Sequence, residues 1–161
     1  MLSQFSGAVL DKDRKHRFLL WRFWDDRPRV LFIGLNSSTA HELTNDPTVN
    51  RWISFSQSWG YGGFYACNLS SQVTPHPEEL LPETWNHRAN IPAIRMALGL
   101  TVLTVCCWGD GINQVPDGKA RVAEIFGLLE GPMCFGLTAS GNPKHPLYLP
   151  GDTDLVEFEY V

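Results

Sequence analysis

The sequence has few charged residues and no excess of basic ones. Asp, Glu, Lys and Arg together make up 19% of the 161 residues, and the formal net charge is −4 at pH 7. A broad basic surface of the kind that binds duplex nucleic acid nonspecifically is therefore not expected. Positive charge is concentrated near the start of the chain, in the stretch DKDRKHR and at Arg22, Arg27 and Arg29.

The sequence also lacks the cysteine spacing of metal centres and any long apolar run. Its four cysteines, Cys67, Cys106, Cys107 and Cys134, form no C-x-x-C pair and lie in or beside apolar stretches. We therefore expect no metal and no cofactor, and the reduced, buried thiols of a cytoplasmic protein. The longest apolar run, LGLTVLTVCCWG, is shorter than the ~20 residues of a membrane-spanning helix, so no membrane association is expected.

Three common motifs are absent as well. The chain contains no G-x-x-x-x-G-K-[ST], no G-x-G-x-x-G and no G-x-S-x-G. Phosphate-binding loops, dinucleotide-binding folds and the nucleophile elbow of serine hydrolases therefore have no support. What the chain does have is 43% hydrophobic and 12% aromatic residues. This composition predicts one ordered domain over residues 1–161.

Strands and helices alternate along the chain. Strands are predicted at 16–24, 29–34, 62–69, 101–109 and 133–138. Helices are predicted from Asp46–Pro47 to Gly60, over 83–100, where Pro92 should kink or split the helix, and over 117–130. The turn DDRP predicts that the first two strands form a hairpin. This order predicts an α/β fold, a three-layer α/β/α sandwich with a mostly parallel central sheet.

In open sheets of this kind, ligands bind beyond the carboxyl ends of the strands. The strand ends here carry Gly34-Leu35-Asn36, then Asn68, then Trp108, and the last loop carries His145. Gly34 allows the backbone to leave the sheet and approach a ligand closely. We therefore predict that these four segments converge on one crevice.

Two asparagines are candidates for contacts with a ligand. Asn36 has a carbonyl acceptor and an amide donor, so it can orient a water molecule or bind the edge of a base. Alternatively, it only satisfies the backbone of its own loop. Asn68 ends a buried strand, where an amide is costly unless it is paired. A nucleobase edge and a neighbouring loop are equally good partners for it.

Three further side chains have both a functional and a structural interpretation. His145 can donate to a developing anion or carry a proton, or it is a solvated loop histidine. Lys144 can neutralise a phosphate, although most surface lysines are simply solvated. Trp108 either stacks on a base or closes the core.

The small residues after Asn36 and the acidic residue beyond them form the last group of candidates. Ser37, Ser38 and Thr39, with their backbone N–H groups, can cradle a phosphate. Asp46 is most simply the cap of the following helix, with a catalytic carboxylate as the alternative.

Several of these stretches together resemble a known bacterial and phage family. They are LLWRFWD, VLFIGLNSSTA, TNDPTVNR, SWGYGGFYACNL, CCWG and GLTASGNPKHPLYL, and they cover roughly residues 16–150. The chain is identified as a member of the family called domain of unknown function 1643, which carries no assigned activity. That family usually has G-L-N-P-S-T-A at the first loop, and this chain has Ser37 at the position of the proline.

The order of motifs is also similar, more distantly, to the uracil-DNA glycosylase superfamily, in particular its mismatch-specific branch. Gly34 and Asn36 match the first loop of that superfamily, G-x-[DN]-P, and Asn68 matches its base-reading asparagine. Trp108-Gly109 matches the third motif and His145-Pro146 the last. The four-cysteine pattern of the iron–sulfur branches and a recognisable wedge residue are missing.

This resemblance implies roles for three residues. Asn36 would orient a water, Asn68 would read a pyrimidine edge, and His145 would stabilise the departing base, which aromatic side chains would sandwich. The implied activity is hydrolysis of the N-glycosidic bond of a modified or mismatched pyrimidine in DNA, single-stranded or modified. The alternatives are a hydrolase or transferase acting on free nucleotides or nucleosides, and a base-binding module without catalysis.

Overall fold

The computed structural model of the chain describes residues 5–85 and 88–160. The strands are β1 (Phe5–Leu10), β2 (Arg17–Phe23), β3 (Arg29–Gly34), β4 (Gly63–Asn68), β5 (Leu103–Cys106), β6 (Met133–Cys134) and β7 (Val156–Glu157). The α-helices are α1 (Pro47–Ser58), α2 (Pro82–Trp85), α3 (Asn90–Gly99) and α4 (Gly118–Phe126). Short 3-10 helices at Pro77–Glu79 and Asp110–Gln114 follow β4 and β5.

The seven strands form one mixed sheet in the order β1-β2-β4-β3-β5-β6-β7. The four central strands, β4, β3, β5 and β6, are parallel to one another. The outer strands β1, β2 and β7 are added by antiparallel pairing. The predicted α/β class is therefore confirmed, but the parallel pairing is confined to the centre of the sheet.

The predicted hairpin between the first two predicted strands is wrong, because β4 lies between β2 and β3. The connection from β2 to β3 crosses over the beginning of β4. There Trp24 donates a backbone hydrogen bond to the carbonyl of Gly62 (2.9 Å), and Gly62 donates one to the carbonyl of Pro28 (3.0 Å). The hairpin that does form joins β2 to β1, a strand that the sequence did not predict.

Two glycines make this crossing possible. A Cβ atom on Gly62 would lie 2.6 Å from the carbonyl oxygen of Arg27, and one on Gly63 would lie 2.5 Å from that of Arg22. Both distances are far below van der Waals contact, so a side chain at Gly62 would displace the connection, and one at Gly63 would displace the end of β2.

The buried side chains form two clusters on opposite faces of the sheet. Phe32 belongs to one cluster with Trp52 and Phe55 of α1, and the rings of Phe32 and Trp52 stack at 5.4 Å. The neighbouring residues of Phe32 on β3 point to the other face, as successive strand residues do, and join a cluster with side chains of α3 and α4. β3 is thus covered on both faces. Within the described ranges, no helix has the length and apolar character required to cross a membrane.

The helix boundaries follow local chemistry. Asp46 caps α1 as predicted, since its Oδ1 accepts the backbone N–H of Val49 at 2.8 Å, and Pro47 occupies the first turn. The predicted helix over 83–100 is split, but not at Pro92. That proline lies in the first turn of α3, where a missing N–H costs nothing. Between α2 and α3, residues 86–87 lie outside the described part of the chain.

The four cysteines are free and buried, as predicted. Burial raises the pKa of the Cys67 and Cys107 thiols to about 12 and raises the pKa of Cys106 and Cys134 as well. Since the thiolate is the reactive form, these thiols are protected both sterically and by protonation.

We therefore expect iodoacetamide to leave the native protein unmodified at neutral pH while the guanidinium-unfolded chain takes up four labels. Mass spectrometry of the intact protein measures both. Labelling of the native protein at any of these positions would contradict the burial described here.

The crossing at the start of β4 gives a second prediction. Gly63→Ala should lower the free energy of unfolding by about 1–3 kcal/mol, because the added methyl group overpacks the site. Its Cβ would meet the carbonyl oxygen of Arg22 at 2.5 Å and the ring of Phe23 at 2.8 Å. Gly99→Ala is the matched control, as nothing lies within 4 Å of its Cβ. It should change stability by less than about 1 kcal/mol. Urea unfolding distinguishes them, and equal effects would show that the crossing does not need glycine.

Candidate functional site

A cavity of about 330 Å³ lies at the carboxyl ends of the central parallel strands. The chain continues from β3 towards β4 on one side and from β5 towards β6 on the other. The loops after β3 and β5 therefore diverge, and this reversal of strand order leaves a crevice between them. The cavity occupies that crevice.

The structure brings seven of the nine predicted site residues to this cavity. They are Gly34, Leu35, Asn36, Ser38, Asn68, Trp108 and His145. Ser37 and Lys144 do not line it. The four segments that were predicted to converge do so in space, while the chemical roles of their residues remain predictions.

Asn36 uses its amide nitrogen for the protein and leaves its oxygen open. Nδ2 donates to the carbonyl of Ser37 (3.0 Å) and to that of Thr74 (2.5 Å). Because both partners are acceptors, the amide orientation is fixed, and Oδ1 has no partner among the described residues. The structural interpretation accounts for Nδ2, and the open Oδ1 is an acceptor for a water molecule or a ligand N–H group.

Asn68 is only 2% exposed, and two neighbours define its place. Its Nδ2 donates to the hydroxyl of Ser37 at 3.2 Å. Gly34 lies directly beside it, since a Cβ on Gly34 would be 2.8 Å from Asn68 Oδ1. Ser37 thus supports Asn68 from behind instead of contacting a ligand, which corrects its predicted position in the cavity wall. Gly34 provides the space for the amide.

Asn90, at the start of α3, was missed by the sequence analysis. It is fully buried, and its Nδ2 donates to the carbonyls of Asn68 (3.1 Å) and Leu69 (3.4 Å). It therefore holds the end of β4 at the point where Asn68 enters the cavity. The only signal in the sequence was a polar residue at the start of an apolar helix.

His145 is held as a neutral donor. Its Nδ1 accepts the backbone N–H of Leu147 at 3.1 Å, so in the neutral ring the proton is on Nε2. The residue is exposed, but the surrounding protein removes enough water to lower the pKa of His145, an effect that the nearby Asp46 carboxylate partly opposes. Both observations favour a neutral imidazole with an available Nε2–H.

Contacts from β5 and α1 fix the loop that carries His145. Gly109 donates its N–H to the carbonyl of Pro143 (2.9 Å), and it has φ +69 with His145 only 3.3 Å from where its Cβ would be. Glycine is therefore required at 109 both for its backbone conformation and for the close approach. Arg51 of α1 donates to the carbonyls of Pro146 and Leu149 on the far side.

Asp110 joins the loops after β5 and β6. Its Oδ1 accepts hydrogen bonds from Asn142 Nδ2 (2.9 Å) and Thr138 Oγ1 (2.6 Å). These hydrogen bonds to the charged form lower the pKa of Asp110. The carboxylate is exposed and lines the cavity, and its Oδ1 ties the two loops together, so we assign it a positioning role.

The aromatic residues in the cavity wall belong to the core. Trp108 is 2% exposed and packs edge-on against Phe158 at 5.5 Å. Trp52 is buried against Phe32. Among the described residues that line the cavity, Trp52 and Trp108 are the aromatic ones and both are buried, so the cavity wall gives the expected aromatic sandwich no support. Flat apolar contact comes from residues that include Leu35, Pro75 and Pro77.

Lys144 is not among the residues that line the cavity. Its Nζ lies beside Gly136, 3.9 Å from the position of a Cβ there, and its backbone N–H donates to the carbonyl of Gly136 (2.9 Å). The predicted neutralisation of a phosphate by Lys144 therefore finds no place in this cavity.

Two charged residues of the cavity are Arg17, which was not predicted as a site residue, and Asp46, which was predicted as a helix cap or a catalytic carboxylate. Arg17 is 3% exposed and donates Nη1 to the carbonyl of Ala40 at 2.9 Å. Burial lowers the pKa of Arg17 to about 10, which the carboxylate of Asp46 opposes. Asp46 lines the same cavity while capping α1, so both interpretations of this residue remain open. Within the described residues, no group of three or more acidic, His or Cys side chains could hold a metal ion.

The family model described as Protein of unknown function (DUF1643) matches residues 17–147. The chain therefore belongs to this family, as its motifs indicated. No curated protein and no solved structure matches the chain. The similarity to the uracil-DNA glycosylase superfamily accordingly remains a hypothesis about the fold and the activity.

The environment of His145 predicts its titration. Its pKa should lie below the usual value of about 6.5, because burial disfavours the imidazolium. Asp46→Asn, which keeps a capping side chain, removes the opposing carboxylate and should lower the pKa further. Above pH about 6.5 the His145 ring is neutral in both the folded and the unfolded chain. Below that pH the unfolded chain takes up the proton more readily, so the free energy of unfolding should fall.

NMR of the imidazole carbons over pH 4–8 measures both values (a window of about two units on each side of the usual pKa). A wild-type pKa above 6.5, or a higher pKa in Asp46→Asn, would contradict this account of the site.

Proposed function

We propose that the cavity binds a nucleobase, and that the protein is an N-glycosidic hydrolase with the three-layer α/β/α sandwich of the uracil-DNA glycosylase type. One observation carries the proposal: Asn36, Asn68 and His145, which come from three different segments of the chain, line the same cavity. Its volume of about 330 Å³ is at the lower end of the about 300–1,000 Å³ typical of ligand sites, which suits a base with its sugar.

The reaction replaces one bond by another at the sugar carbon. A water oxygen bonds to C1′, the C1′–N bond breaks, and the base leaves with the bonding electrons. The base finally takes up the proton that the water loses. Positive charge develops on the sugar and negative charge on the base, so catalysis requires acceptors near C1′ and donors near the base.

Asn36 and Asp46 supply the acceptors. Asn36 Oδ1 is open because Nδ2 is bound to two carbonyls, and it orients the attacking water. Asp46 commits one oxygen to Val49, which leaves the second available to stabilise the positively charged sugar and to accept the water proton. A carboxylate compensates for the weak basicity of an amide, so the two residues act together.

His145 and Asn68 serve the base. The neutral ring of His145 donates Nε2–H to the oxygen of the departing base, where negative charge develops. A donor that is already neutral needs no acidic pH, and the low pKa keeps it neutral at pH 7. Asn68, supported by Ser37, presents its amide to the base edge. A pyrimidine edge has hydrogen-bond acceptors and donors on adjacent atoms, and the amide has one group of each kind to match them.

Two alternatives use the same cavity. The formal charge of −4 favours a free nucleotide or nucleoside as the ligand. Duplex DNA is less suitable because its binding normally requires a cationic protein surface. A base-binding module without turnover would need Asn68 but not the open acceptor of Asn36. Two measurements therefore distinguish the main proposal from these two alternatives: whether base is released, and whether the substrate is an oligonucleotide or a free nucleotide or nucleoside.

The test is base release, followed by mass spectrometry. The protein is incubated with single- and double-stranded oligonucleotides containing uracil or modified pyrimidines, and separately with pyrimidine nucleosides and nucleotides. We expect free base from at least one substrate and a rate loss of about 100-fold or more in Asn36→Ala. Asn50→Ala, an exposed asparagine on α1, is the control and should retain the wild-type rate.

Binding of a base without any release would favour the non-catalytic module. Neither binding nor release with any of these substrates would overturn the proposal, and equal losses in Asn36→Ala and Asn50→Ala would remove Asn36 from the mechanism.

A further inference from the structure

Arg17 is a buried cation whose donors the protein leaves largely unused. Its Nη1 donates to the carbonyl of Ala40, but its Nε is buried without a partner, and Nη2 has none among the described residues. Arg22, on the same strand and equally buried, is the contrast. Its three nitrogens donate to acceptors on Gly7, Trp21, His41, Thr44 and Asn45.

The unused atoms of Arg17 form one edge of the guanidinium group. Nε–H and one N–H of Nη2 point in the same direction, and this fork binds two oxygens of a carboxylate or phosphate side by side. Buried donors are nearly always paired in folded proteins. Arg17 lines the cavity and keeps these donors unpaired within the described part of the chain, so it is a binding group for a ligand.

The local charge balance points the same way. Among the described residues, the carboxylate whose charge acts on Arg17 is that of Asp46, which also acts on Arg22. Glu42, the other carboxylate near Arg22, is engaged with Arg14 at 3.0 Å. Within the described residues, Arg17 has no carboxylate within 4.0 Å. Two buried guanidinium groups thus share one carboxylate, and an added anion would restore neutrality.

We propose that the cavity takes a ligand with a terminal oxyanion, and that Arg17 binds this group through its Nε–Nη2 edge. In combination with the proposed function, on which this part rests, the substrate class is a free nucleoside monophosphate. Because Arg17 is buried, the phosphate must enter the cavity. A terminal phosphate can do so, whereas an internal phosphodiester continues into the polymer on both sides.

The experiment compares ligands and two matched variants. Isothermal titration calorimetry measures binding of uridine, cytidine and thymidine, their 5′-monophosphates, a dinucleotide with one internal phosphodiester, and inorganic phosphate. For each base that binds, we expect the 5′-monophosphate to have an affinity about 10- to 100-fold higher than that of the nucleoside, because charge-assisted hydrogen bonds contribute this much. The dinucleotide should bind no better than the nucleoside.

Arg17→Met should abolish this preference and the binding of inorganic phosphate. The melting temperature of Arg17→Met should be equal to or above that of the wild type. The substitution removes a buried charge whose desolvation is costly, and it removes only one side-chain hydrogen bond. Arg22→Met should melt at a clearly lower temperature, since it leaves several buried acceptors unpaired. If Arg17→Met does not fold, Arg17→Lys, which keeps the charge without the fork, should still weaken monophosphate binding about tenfold.

The outcomes separate this inference from the function it extends. If Arg17→Met binds the nucleosides and the monophosphates with the same affinities as the wild type, the anion site is overturned and the nucleobase site is left intact. Phosphate binding that Arg17→Met abolishes, without binding of any nucleoside, would support the anion site and overturn the nucleobase. An equal loss of stability in Arg17→Met and Arg22→Met, with phosphate binding unchanged, would assign Arg17 a purely structural role.

Discussion

The register between β3 and β4 is the constraint on which the cavity depends. The two strands are parallel and end at the same level, where Gly34 lies opposite Asn68. Backbone hydrogen bonds continue past the strand ends, from Leu69 to the carbonyl of Gly34 (2.9 Å) and from Ser70 to that of Leu35 (2.8 Å). A shift of the register by one residue would turn Asn68 to the opposite face of the sheet, so the polar wall of the cavity requires this pairing.

Asp46 connects the helix next to the cavity with the charges inside it. Its Oδ1 accepts the N–H of Val49 at the start of α1, which anchors the carboxylate to this helix. From there its charge acts on Arg17, Arg22 and His145. A residue that looks like a simple helix cap in the sequence therefore also acts electrostatically on three ionisable side chains, and capping and catalysis need not be alternatives.

The sequence predicts those features that depend on where strands end. Asn68 ends a strand of the parallel centre, and Asn36 and His145 lie in loops that follow such strands, so their convergence follows from the topology. It does not predict what depends on partners distant along the chain. The pairing of β2 with β4 could not be inferred from the DDRP turn, since β4 enters the sheet much later. Likewise, Arg17 and Asn90 owe their positions to carbonyl groups more than twenty residues away.

Ser37 takes the place of the proline that is usual in the family, and hydrogen bonds hold the loop after β3 in place of a proline ring. A proline at this position would stiffen the loop through its ring. Here the carbonyl of Ser37 accepts hydrogen bonds from the backbone of Thr74 (2.9 Å) and from Asn36, and its hydroxyl accepts one from Asn68. These bonds tie the first loop to the segment after β4 and orient both asparagines at once. The hydroxyl also gives Asn68 a partner that a proline ring could not provide, so serine at this position is compatible with a rigid, functional loop.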